Sequence, residues 1–119
     1  MSTDYFDLQQ SLNATLEQAY LDVDEMRSAG IDRAKKNAAY KATLKTRILA
    51  LRADKNIPAT LIPKVADGCA DVTAAYVGAM VAEAEYDACR ETVMLRKREA
   101  DILREQLNRE WYTTNPRNV

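Results

Sequence analysis

The strongest constraint on this chain is a seven-residue apolar repeat. Every seventh position from Val65 is apolar: Val65, Val72, Ala79, Tyr86, Val93, Ala100 and Leu107. A second row, three residues on, holds Ala75, Ala82, Cys89 and Leu103 and is broken by Arg96. Rows alternating at three and four residues make the seam of a helix that packs along its length. The repeat predicts one helix over 67–111, about 65 Å long at roughly 1.5 Å per residue. Asp67 is the expected cap, with Asp71 near the positive end of the helix dipole. Pro116 bars much continuation beyond Tyr112. Gly78 costs roughly 1 kcal/mol against Ala inside a helix. Close packing, an approaching partner and plain tolerance each account for it.

The first half carries a second amphipathic pattern. Tyr5, Leu8, Leu12, Leu16, Ala19, Val23 and Met26 follow gaps of three and four, with Ser2 or Thr3 as cap. The pattern resumes at Ile31, Ala34 and Ala38, then Leu44, Ile48 and Leu51. Gly30 between them marks a bend in one helix over about 4–54, or else a break. Asn56 and Pro58 end that helix. A tip over 55–66 follows, in which Thr60 caps a short helical turn and Pro63 sits in its first turn. Gly68 allows tight passage into the long helix, and Leu61, Ile62 and Val65 close the apolar end. No run of Val, Ile and aromatic residues reads as a strand. The expected fold is all-α: a long antiparallel helical hairpin, coiled-coil-like, with a possible kink or break at Gly30, assembling as a helical bundle. One domain over 1–112 and a flexible tail over 113–119 are expected.

Charge is nearly balanced, with 17 Lys and Arg against 18 Asp and Glu, but it is segregated. Residues 1–30 hold six acids and one base, Arg27; residues 31–55 hold eight bases against Asp32 and Asp54; residues 68–89 hold four acids and no base. In a hairpin the basic stretch lies beside an acidic one. Lys35, Lys36, Lys41, Lys45, Arg47 and Arg52 are therefore either neutralised there or free for nucleic acid or an acidic partner. A helix-turn-helix reader is disfavoured, because the helix after the turn opens with Asp67 and Asp71 and has no base before Arg90. Met80, Met94, Leu95 and Ile102 lie off the main seam, and Leu21, Leu49 and Ile57 look similarly placed. Exposed patches of this kind predict self-association, as a dimer or possibly a tetramer with twofold symmetry. A three-helix monomer made by a break at Gly30 is the competing arrangement.

The residues that usually carry chemistry are scarce. Histidine is absent, so the commonest general base and metal ligand is missing. Cys69 and Cys89 lack zinc spacing and, about 30 Å apart along one helix, cannot bridge each other. No phosphate loop or nucleophile motif occurs. A non-enzyme without cofactor or metal is expected. Unbridged cysteines, no secretory signal and no apolar run of membrane length point to the cytoplasm.

Three segments resemble a loose group of small α-helical bacteriophage proteins encoded near recombination and replication genes. They are Ala59 to Asp67, the run Ala82-Glu83-Ala84-Glu85-Tyr86-Asp87-Ala88, and Ile102 to Leu107 with Arg109-Glu110-Trp111. The shared pattern is a basic Ala-rich helix, a Pro-x-Thr-Leu turn and a long helix ending near Trp, over about residues 33–111. The acidic first segment falls outside it. The resemblance implies a role in the cytoplasm of an infected cell and carries over no functional residue. It leads to an interaction protein, a helical oligomer holding a protein partner in recombination or replication. An anti-CRISPR or other inhibitor of a host defence complex is the alternative. A nucleic-acid-binding accessory protein using the 33–55 stretch is another.

Overall fold

The structure is a computed structural model that describes residues 5–114. These form α1 (Tyr5–Arg52), a 3-10 turn (Ala59–Leu61), α2 (Ile62–Asp67) and α3 (Ala70–Thr114), with no strand among the described residues. The fold is all-α, a coiled-coil-like helical hairpin with α1 and α3 as its arms. The expected caps Ser2 and Thr3, the Pro116 stop and residues 115–119 of the expected tail lie outside the described residues; Thr113 and Thr114, expected in that tail, continue α3.

α1 runs unbroken through Gly30. The reason for the glycine is space: a Cβ there would stand 3.2 Å from Cε2 of Tyr86. Gly78, by contrast, has nothing within 4 Å of an added Cβ, so packing within the chain does not account for it. Gly68 caps α2 in the right-handed region, at φ −84°, and makes no use of glycine's freedom.

The described residues divide into two compact units, 5–26 with 88–114 (the terminal unit) and Arg27–Asp87 (the tip unit). In the tip unit, Arg33, Tyr40 and Arg47 of α1 meet Tyr86, Tyr76 and Asp71 of α3, so the two segments run antiparallel. The inward side of α3 is Val72, Ala75, Ala79, Ala82 and Tyr86, as the repeat predicts. Val65 leaves that row: it belongs to α2 and is 40% exposed. Asp67 does not cap α3. It ends α2, and its carbonyl accepts from Thr73 Oγ1 at 3.1 Å. Asp71 lies inside the first turn of α3, where its carboxylate accepts from the Val72 amide at 2.9 Å. Thr60 lies inside the 3-10 turn behind Pro58 and caps nothing, while Pro63 sits in the first turn of α2 as expected. Ile62 and Ala66 close the tip; Leu61 is exposed. Ile31, Ala34 and Ala38 are exposed, against the apolar pattern, while Leu44, Ile48 and Leu51 are half-buried. The inward positions fall to Arg33, Tyr40 and Arg47 because long side chains with apolar stems reach partners that alanine cannot.

In the terminal unit, Tyr5, Thr15 and Asp22 of α1 meet Trp111, Glu99 and Arg96 of α3, again antiparallel. Leu8 and Ala100 are buried. Leu16 and Val23 only flank the seam; the buried places between Leu8 and Met26 go to Thr15 and Asp22. Both are satisfied. Thr15 Oγ1 donates to Glu99 at 3.4 Å, Gln18 Nε2 donates to Asp22 Oδ1 at 3.0 Å, and Arg96 Nε donates to Asp22 Oδ2 at 3.0 Å. Arg96 also reaches Glu99 at 3.2 Å. The residue that interrupts the second apolar row is thus answered by an acid from the facing helix. Sliding the pair by one heptad would leave a buried carboxylate without its guanidinium, so the network holds the register.

Candidate interaction surfaces

In the tip unit the outward side of α3 follows from its inward side. A residue two places from an inward one is turned by roughly 200° around the helix. Ala70, Ala74, Val77, Val81 and Ala84 stand in that relation to the seam, and all are exposed. Val77 and Val81 are each 52% exposed, with Met80 beside them at 49%. These positions alternate at four and three residues, so they form a second seam with no partner. No charged residue interrupts it. Acids border it at Asp71, Glu83, Glu85 and Asp87, and α3 has no base from Ala70 to Asp87.

The same construction on α1 gives Ile31, Lys35, Ala38, Ala42, Lys45 and Leu49, two places from Arg33, Tyr40 and Arg47. All six are exposed. Two of them are bases, and Lys41 and Arg52 border the same side. Of the six candidate contact residues, Arg47 is taken, donating from Nη2 to Asp71 Oδ2 at 2.9 Å. That bond holds the Asp71 carboxyl below its usual value and raises the Arg47 guanidinium. Lys35, Lys36, Lys41, Lys45 and Arg52 are exposed and join no ion pair among the described residues. The acidic stretch of α3 thus makes one direct ion pair with the basic stretch, Asp71 with Arg47. Between the helices, a groove of about 500 Å³ is lined in part by Arg33, Asn37, Tyr40, Tyr76, Met80 and Glu83.

The candidate interface residues are solvent-facing: Met80 at 49%, Met94 at 57%, Leu95 at 60% and Ile102 at 50%. Leu21 and Leu49 are exposed as well, and Ile57 is half-buried. Leu95 and Ile102 line a groove of the terminal unit with Ser11, Thr15 and Leu103. Sequence reading passed over Val77 and Val81, although the repeat that located the inward seam also locates them.

Among the described residues, no group of three or more His, Cys, Asp and Glu side chains could hold a metal ion. Asp22 is the one buried ionisable group in that set, and its neighbours fix it as a carboxylate. The Gln18 amide and then the Arg96 guanidinium donate to it and lower its pKa against the opposing effect of burial. No single helix in the described residues is long and apolar enough to cross a membrane. Comparison with known proteins finds no matching family model, no matching curated protein and no matching solved structure.

Proposed function

We propose that this chain is a non-catalytic interaction protein, a helical oligomer that holds a protein partner in phage recombination or replication. The observation that carries the reading is the uncharged outward seam of α3 from Ala70 to Ala84. In a chain where 29% of residues are charged, an unpartnered seam of that length is where another helix packs. The phage setting draws on the resemblance of residues 33–111. The unpaired lysines of α1 favour a second reading, direct contact with nucleic acid.

The test is affinity capture from phage-infected cells with the wild-type chain and with Val81→Lys. The reading expects recombination or replication proteins on the wild type, lost from the variant and retained after nuclease treatment. Capture of a defence complex instead replaces it with the inhibitor reading. Nuclease-sensitive capture that weakens steeply with salt replaces it with the nucleic-acid reading.

A further inference from the structure

The tip unit has two outward seams, and they differ in the sign of their borders. From Ile31 to Arg52, α1 carries seven bases and one acid, Asp32. From Ala70 to Asp87, α3 carries four acids and no base. Both seams are exposed and at helical spacing; that of α3 is uncharged, whereas that of α1 carries Lys35 and Lys45 among its apolar residues.

We propose that a second copy of this chain docks head to tail on the tip unit, the outward side of α1 in one copy packing on the outward side of α3 in the next. This rests on the reading of the chain as a helical oligomer and names its contact. The argument is one of elimination. Back-to-back pairing through α3 sets Asp71, Glu83, Glu85 and Asp87 against the same four acids. Back-to-back pairing through α1 sets lysines against lysines. Like charges brought together at a desolvating interface oppose both. The α1-to-α3 contact instead sets Lys35, Lys41 and Lys45 among the acids that border Val77 and Val81. Within one chain those lysines are held away from these acids, because the two seams point in opposite directions. A second copy brings them together. Such a contact uses different surfaces on the two copies, so one copy keeps its α3 seam free and the other its α1 seam, and assembly continues until it closes or runs on. This open arrangement differs from the twofold dimer or tetramer expected from the sequence.

The experiment blocks one seam at a time in the full chain. Leu49→Glu spoils the α1 seam and Val81→Lys the α3 seam, each with a charge that repels the opposing border. Both sites are exposed, and circular dichroism checks that both variants keep their helices. Mass is then read by sedimentation velocity for the wild type, each variant and their equimolar mixture. Head-to-tail docking expects a wild type that grows beyond two chains, each variant arrested as a monomer, and a mixture that stops at two chains. It also expects added salt to reduce the wild-type mass. A monomeric Val81→Lys beside a dimeric Leu49→Glu means back-to-back pairing through α3, and the reverse means pairing through α1. Either overturns the proposal while leaving the oligomer reading in place, as does assembly that survives both substitutions or a mixture that stays monomeric. A wild type that is monomeric throughout overturns both.

Discussion

Asp22 is the buried charged residue of the described terminal unit. It is 4% exposed, and its two side-chain donors keep it ionised. Because its folded-state pKa lies below the ordinary 3.8, the pair contributes its full stability above that value and loses it as pH falls through the lowered folded value. Asp22→Asn removes this titration. The variant is expected to be less stable than the wild type at neutral pH, by about 2 kcal/mol, with the difference shrinking below pH 4. Urea unfolding at a series of pH values measures it. The glycines give a second contrast. Gly78→Ala gains helix propensity in open space and is expected to stabilise by about 1 kcal/mol. Gly30→Ala gains the same propensity but presses on Tyr86, whose ring already carries the Arg33 guanidinium 4.1 Å from its centroid. Its gain is expected to be smaller, or reversed. Paired denaturation curves decide this, and equal gains at both sites would contradict the packing at Gly30.

At the scale of elements, the legibility of the chain follows from what each position must touch. The inward seam of α3 could be read because small apolar residues repeat there without interruption from Val72 to Tyr86. The middle of α1 could not. Alanine suits a helix on any side, so Ala34 and Ala38 look like seam and are surface. Arg33 and Tyr40 look like surface and face the partner helix. Thr15 and Asp22 escaped for another reason: a polar residue becomes a seam residue only through its partner, and Glu99 and Arg96 lie more than seventy positions away. The tip was legible in outline from Pro58 and Pro63, but the start of α3 was not, since α2 runs on to Asp67 and ends there. Of the candidate surfaces, the basic residues and the four apolar interface residues were visible as exposed types. The seam through Val77 and Val81 needed the inward register first. Continuity of α1 makes its own prediction: amides from Met26 to Ala34 exchange slowly and evenly with solvent deuterium, while those of residues 53–57 exchange fast. A separate fast stretch at 28–31 would contradict an unbroken helix.

The whole molecule buries little for its length. Its fully buried apolar residues in the described chain are Leu8, Ile62, Ala66, Val72, Ala82 and Ala100, three of them alanine. A helix pair has one internal interface, and here small side chains fill much of it, so the remaining apolar surface faces outward. Packing on another copy is the physical way to bury it. It also follows that thermal stability rises with protein concentration. The account stands most directly on the mass of the unmodified chain in solution. Sedimentation velocity from low to high micromolar concentration is expected to show a weight-average mass that starts near one chain and climbs past two. A mass of one chain across the whole range would contradict it.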